Sequence, residues 1–230
     1  MKIQLHQLSK SFGEKIAVNI PQLLIGDGEM IGLVGNNGAG KTTLFRLMLD
    51  LLRADSGSVL LTPQGDPHSL FSASSQSSLS AEHSDLIRKS IDPAKSEEWK
   101  RTTGAFIDDT FLIDFLTVEE YLDFIVKIQG LPPMDWNSSD DPLVRGFKEF
   151  AEGQIFGQKK FIRDFSAGNK QKVGIIAAML SRPELLVLDE PFNFLDPTGQ
   201  NFLKKLLLDY HRFTGATILI SSHNLQHLVD

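Results

Sequence analysis

Gly35-Asn36-Asn37-Gly38-Ala39-Gly40-Lys41-Thr42-Thr43 fits the spacing G-x-x-x-x-G-K-[ST], and the runs on either side of it differ in character. Before it, Glu29-Met30-Ile31-Gly32-Leu33-Val34 reads as a buried strand; after it, Leu44-Phe45-Arg46-Leu47-Met48 reads as the body of a helix. Strand, glycine-rich turn and helix in that order constrain the chain to an α/β fold whose turn wraps an anion. Glycines let the backbone aim successive N–H groups inward, Lys41 adds a mobile cation, and the positive end of the helix faces the same point. Thr42 is placed to give its hydroxyl to a magnesium ion. Gly35, Asn36, Asn37, Gly38, Ala39, Gly40, Lys41, Thr42 and Thr43 are therefore the expected cradle of a nucleoside triphosphate. The loop alone leaves kinases, GTPases and transport motors open.

The 230 residues suffice for one large α/β domain with a sizeable core. A formal net charge of −6 argues against a chain that coats nucleic acid by bulk electrostatics, so no nucleic-acid partner is expected. With no cysteine, disulfides, thiolate metal sites and thiol catalysis are excluded. No stretch approaches the roughly 18 consecutive apolar residues that span a bilayer, and the start Met-Lys-Ile-Gln-Leu-His lacks a secretory segment. Nucleotide chemistry places the chain in the cytoplasm, with any membrane association made through a partner.

Ile3, Leu5 and Leu8, then Ala17-Val18-Asn19-Ile20 and Leu23-Leu24-Ile25, predict a small N-terminal sheet. Asp55-Ser56-Gly57-Ser58 reads as a turn before a short strand at Val59-Leu60-Leu61. Composition then shifts: seven of the twelve residues from Ser69 to Ser80 are serine, and residues 63–98 read as a flexible surface insertion. Thr117-Val118-Glu119-Glu120 has capping-box spacing, so a helix is expected from there to the stop at Gly130-Leu131-Pro132-Pro133. Further helices are expected over Leu143–Ala151, from Gly168 to about Leu180, and over Phe202–Tyr210. Core strands are expected at Leu185–Leu188 and Thr217–Ile220.

Leu185-Leu186-Val187-Leu188 runs directly into Asp189-Glu190, which puts two carboxylates at a strand's C-terminal edge, where ligands sit in open α/β sheets. Asp189 can hold magnesium through water, and Glu190 can polarise an attacking water. Taken alone the pair also fits a solvated turn. Phe165-Ser166-Ala167-Gly168-Asn169-Lys170-Gln171 precedes an expected helix, and there Ser166 with the first N–H groups makes both a cap and an anion site.

At this segment the chain resembles the ATP-binding cassette ATPases, whose signature is commonly L-S-G-G-Q, and its Ser-x-Gly-Asn-Lys-Gln-Lys form is similar to bacterial export-type cassettes. Asp189-Glu190-Pro191, Leu195-Asp196-Pro197 and Ser221-Ser222-His223 resemble the family's acidic strand end, linking loop and switch-histidine segment, in the family's order. The resemblance implies a P-loop NTPase core with a mainly parallel sheet, an N-terminal antiparallel β subdomain and an inserted helical subdomain. It divides a single domain into a nucleotide core (about 1–107 and 182–230) and a helical arm with the signature (about 108–181). It implies ATP and Mg²⁺ as ligands, Glu190, His223 and Lys41 as catalytic residues, Thr42 and Asp189 as metal ligands, and Phe12 of Ser11-Phe12-Gly13 stacked on adenine. Ser166 and Gly168 would complete the site of a second ATPase domain packed head to tail. A transmembrane permease subunit would be the other partner, holding the chain at the inner face of the cell membrane. For His223 a polar surface turn, and for Phe12 core packing, are the alternatives.

Three departures bear on this. Asp108 stands where the family usually has glutamine and is the expected third metal ligand; Ala167 replaces a glycine; and the sequence stops at Asp230, where members usually continue, which reads as truncation or a short member. The expected function is an ATP-hydrolysing exporter subunit. A soluble cassette ATPase, or a weakly hydrolysing member of an asymmetric pair, is the alternative.

Overall fold

The computed structural model describes residues 1–64, 90–136 and 140–224. The serine-rich run from Ser69 to Ser80 lies outside them, as does the chain beyond Asn224. The returning end of the expected insertion is described, and Ile91 exchanges two backbone hydrogen bonds with Leu61 (2.8 and 2.7 Å) and is buried.

Strands β1 (Lys2–Phe12), β2 (Lys15–Ile25), β3 (Met30–Val34) and β4 (Ser56–Thr62) surround the first helix, α1 (Lys41–Met48). β1 pairs antiparallel with both β2 and β4, forming the expected N-terminal sheet in the order β2-β1-β4. Ile3, Leu5 and Leu8 are all buried although their spacing breaks the two-residue period. A register shift between His6 and Ser9, with Gln7 at φ +46°, absorbs the extra residue and returns Leu8 to the core. Ser56 and Gly57, expected in a turn, already belong to β4.

β5 (Thr103–Phe106), α2 (Val118–Ile128), α3 (Pro142–Ala151), α4 (Ala167–Met179), β6 (Leu185–Leu188), α5 (Pro197–Thr214) and β7 (Thr217–Ser222) follow. The second sheet is parallel, ordered β3-β7-β6-β5. The capping box forms at α2: Glu120 N–H donates to the Thr117 hydroxyl, and the Glu120 carboxylate accepts from Thr117 N–H. α5 is longer than expected at both ends. Asp196 accepts from Gly199 N–H at 2.7 Å, Pro197 takes the first helical position, and Gly215 ends the helix at φ +63°.

Two cores lie on either side of the parallel sheet. Leu186 and Leu188 of β6 and Ile218 and Ile220 of β7 face one, built with α2 to α5; Leu185, Val187 and Leu219 face the other, built with α1 and the N-terminal sheet. Burial on both faces is why β6 reads as an unbroken apolar run. β3 departs from the sequence reading. It was expected to be buried, yet Ile31 and Val34 are 37% and 42% exposed, because β3 pairs only with β7 and forms the edge of the described sheet.

Candidate active site

All four parallel strands end at one edge, and their backbones are tied there. Gly35 N–H donates to the Ser222 carbonyl (3.2 Å), and Asp189 N–H donates to that of Phe106 (2.9 Å). This brings the expected loop, the acidic pair and the histidine segment to one place, the position the sheet topology assigns to ligands.

Lys41 is the hub. It is buried, its ammonium donates to the carbonyls of Gly35 (2.6 Å) and Asn36 (3.3 Å), and it lies 3.2 Å from Oε1 of Glu190. Oε1 is itself buried and makes no hydrogen bond of regular geometry, so the contact is an ion pair. The other oxygen, Oε2, accepts from the backbone N–H of His223 (3.1 Å) and from its ring Nδ1 (2.8 Å). A carboxylate offers no proton, which assigns the hydrogen to Nδ1. Partial burial raises the Glu190 pKa, but the hydrogen bonds from His223 and the Lys41 ammonium beside it outweigh burial and hold the carboxyl below its usual range. Glu190 also sits at φ +46°, a left-handed conformation costly for a residue with a side chain.

Thr42 and Asp189 are in contact: the Thr42 hydroxyl donates to Oδ2 of Asp189. The opposite oxygen, Oδ1, accepts from the hydroxyl of buried Ser221, which in turn accepts from Glu190 N–H at 2.8 Å. Ser221 thus fixes both acids at once, and sequence reasoning gave it no role. Its signal was a hydroxyl directly after the apolar run Ile218–Ile220, still within β7. Gln171, buried within α4, was missed as well; its amide donates to the Glu190 carbonyl at 3.1 Å.

The loop bounds a cleft of about 270 Å³ lined by Asn37 to Thr43, Glu190 and the tip of the β1–β2 hairpin. Phe12 projects from that tip and is 52% exposed, so it is not part of the core. Gly40 is required where it stands: its φ is +92°, and a Cβ there would lie 2.1 Å from the Ala17 carbonyl oxygen of β2.

Ser166 and Gly168 are not brought to this cleft. Ser166 caps α4 by accepting from Asn169 N–H (3.3 Å), and it is exposed. A Cβ on Gly168 would stand 2.4 Å from the Phe194 carbonyl oxygen, which packs the start of α4 against the loop after Glu190. Ala167 is the first residue of α4 and has no positive φ, so its backbone does not need glycine. Asp108 points elsewhere. Its carboxylate pairs with Arg46 of α1 at 3.1 Å and accepts from Thr110, and it lines a separate groove with Phe106, Tyr121 and Gln129 rather than the cleft. Among the described residues no group of three or more His, Cys, Asp and Glu side chains is gathered as a metal site.

These residues fit a nucleotide with magnesium. α1 begins without any side-chain cap, so its first N–H groups are left for an anion. The Thr42 hydroxyl and Asp189 carboxylate supply the hard oxygen donors magnesium takes, and the buried Oε1 of Glu190 needs a new partner once Lys41 turns to phosphate.

Residues 18–193 match the model of a family described as ABC transporter. The chain is 31% identical over 229 residues to the bacitracin transport ATP-binding protein BcrA of Enterococcus faecalis, across 98% of this chain and 62% of that one. It is 30% identical over 226 residues to the methionine import ATP-binding protein MetN of Rhizobium johnstonii, across 97% of this chain and 54% of that one. It therefore spans less than two thirds of the length of either relative. A solved ATP-binding subunit of an ABC transporter superposes with a TM-score of 0.73 at 26% identity, covering 98% of this chain and 81% of that one. Loop, acidic strand end and α4 thus lie in a cassette fold matched along nearly the whole chain, and the chain belongs to the ABC transporter family.

Proposed function

We propose that this chain is an ATP-hydrolysing subunit that drives a separate transmembrane partner, and that two cassettes close head to tail over the nucleotide. The observation that carries the reading is the connected set Lys41–Glu190–His223 with Thr42–Asp189–Ser221 at the ends of the parallel strands. In it Lys41 and the loop amides grip the β and γ phosphates and Thr42 and Asp189 hold magnesium, which when bound neutralises phosphate charge. Glu190 accepts the proton of the water that attacks the γ phosphorus, and His223 orients that carboxylate. The products are ADP and inorganic phosphate. Ser166 and Gly168, remote from the chain's own cleft, complete the site of a second cassette.

The arm supplies a surface for the transmembrane partner. Of the apolar residues between 111 and 115, Leu112 is buried and Ile113 packs on the core, whereas Phe111 and Phe115 are 58% and 63% exposed. Phe124 and Ile128, one turn apart on α2, are exposed too. Asp108 borders the groove that Phe111 lines, so we assign it to this partner face rather than to the metal. No helix among the described residues is long and apolar enough to cross a membrane. Export is the direction we propose, on the likeness of Ser166 to Lys172 to export-type signatures. Steady-state phosphate release by the parent chain and by Glu190→Gln tests the chemistry: equal rates would remove Glu190 as the base. Co-purification with a multi-spanning membrane protein tests the partner, and its absence would favour a soluble motor.

A further inference from the structure

We propose that Lys15 is a second phosphate-gripping cation, acting on the nucleotide from outside the loop while Lys41 acts from within. The inference rests on the nucleotide reading above and concerns a residue that no motif of the sequence singles out.

The geometry begins with the hairpin. β1 and β2 are joined through Gly13 and Glu14, with Gly13 at φ +60°, and Phe12 and Lys15 are direct cross-strand partners. Directly opposed residues project to the same face of a sheet, so the ring and the ammonium leave the hairpin tip together. That face is turned to the phosphate loop: both residues line the cleft, and the Lys15 ammonium stands 3.8 Å from where a Cβ on Gly38 would be. The loop is pressed onto the same strand at Gly40 and Ala17, so the backbone that carries Lys15 is held against the loop.

The electrostatics point the same way. Lys10, on the same hairpin, is paired with Asp55 at 2.7 Å. Lys41 is already committed to two carbonyls and to Glu190. Lys15 is exposed, and among the described residues no carboxylate lies within ion-pair reach of it. The cleft lining thus carries two ammonium groups against one carboxylate, and that carboxylate is engaged. An unpaired cation at the mouth of an N–H-lined turn adds positive potential where a polyphosphate enters. Phe12, beside it, offers an apolar face of the size of a base. The hairpin tip is therefore a two-point clamp, with ring for base and ammonium for phosphate.

Equilibrium titration of Mg-ATP and Mg-ADP into the parent chain, Lys15→Met and Lys15→Arg tests this, read as Kd at low and at moderate salt. An exposed charge pair is worth up to about 1 kcal/mol, so Lys15→Met should weaken both nucleotides about fivefold and flatten the salt dependence. Lys15→Arg should stay within about twofold of the parent, and Phe12→Ala should weaken binding without changing the salt dependence. Because Lys15 is exposed and unpaired, the thermal midpoint without nucleotide should not move, which separates a charge effect from a misfolded hairpin. Parent affinity and parent salt dependence in Lys15→Met would overturn the assignment. Equal losses in Met and Arg would also overturn it, as a shape effect. Failure of the parent itself to bind Mg-ATP would instead remove the nucleotide reading on which it rests.

Discussion

Two helices in this molecule begin at a glycine-containing turn and aim their first N–H groups outward, but they are finished in opposite ways. α1 follows Gly40 and has no side-chain cap, a buried lysine at its first position, and a cleft of about 270 Å³ in front of it. α4 follows Ser166, whose hydroxyl already accepts from Asn169 N–H, and this cap and the first helical residue, Ala167, face solvent. A helix terminus leaves about four donors unsatisfied, and here one end keeps them for a ligand while the other spends one on itself. The first is a site within a single chain; the second becomes one only when another molecule brings the anion. Left-handed backbone borders both ends: Gly40 at φ +92° and Glu190 at φ +46° flank the α1 cleft, and Phe194 at φ +61°, whose carbonyl abuts Gly168, borders the start of α4.

The sharpest way to break the comparison is to disable the chemistry of the α1 side alone. Glu190→Gln keeps the shape and the bond from His223 N–H, so Mg-ATP affinity should stay close to the parent's while phosphate release falls roughly a hundredfold to ten-thousandfold. A smaller loss would move the base elsewhere. The same variant reports the carboxyl's titration. Because the folded Glu190 pKa is lowered from its usual 4.5, its contribution to stability is complete above that value and is lost as pH falls through the folded one. Below 4.5 the thermal midpoints of parent and variant should therefore converge.

Gly40→Ala comes next. The methyl group would meet the Ala17 carbonyl at 2.1 Å and force an unfavourable φ, so β2 and the loop must separate. Stability should fall by about 2 kcal/mol, seen in urea unfolding, with Mg-ATP binding lost in titration. Retained binding would mean that the cradle tolerates a different turn from the one seen. Ser166→Ala probes the other end and should leave the affinity of the isolated chain for Mg-ATP within about twofold. It removes the α4 cap, costing about 1 kcal/mol, and should lower turnover most where turnover rises with chain concentration. Turnover per chain independent of concentration would dissolve the idea that α4 completes a neighbour's site.

Much of this was legible before any coordinates. The order strand, loop, helix and the acidic end of Leu185–Leu188 are local patterns, and a parallel sheet brings such strand ends to one edge whatever lies between them. The capping box at Thr117 is equally local. What the sequence did not reveal depends on neighbours. Ser221 acts through a register that sets β7 beside β6, and Gln171 acts across 19 residues through packing of α4 on the loop after β6. β3 looked buried because Met30 to Val34 is apolar, yet exposure is decided by whether a strand lies on its far side. Asp108 carried the right charge for a metal ligand, but Arg46, on a helix 62 residues earlier, claims it. Side-chain type was readable, and partner was not.

Ala167→Gly is the smallest test and the one that bears most directly on how the two turns differ. In the signature that this segment resembles, a glycine stands where Ala167 is, and Ala167 is here the first residue of a helix with ordinary backbone angles. If the α4 turn, like the α1 turn, needed a backbone freed of its side chain, restoring glycine would raise turnover severalfold. The structure argues otherwise. Close approach is confined to Gly168, where the Phe194 carbonyl leaves no room for a methyl group, while Ala167 faces solvent. Glycine at Ala167 would only loosen the first turn, by less than about 1 kcal/mol. The expected outcome is a slightly lower thermal midpoint, and phosphate release within about twofold of the parent at every chain concentration. A severalfold gain would show that α4, too, must reshape to take its ligand, and the contrast between a prepared turn and a self-capped one would fail.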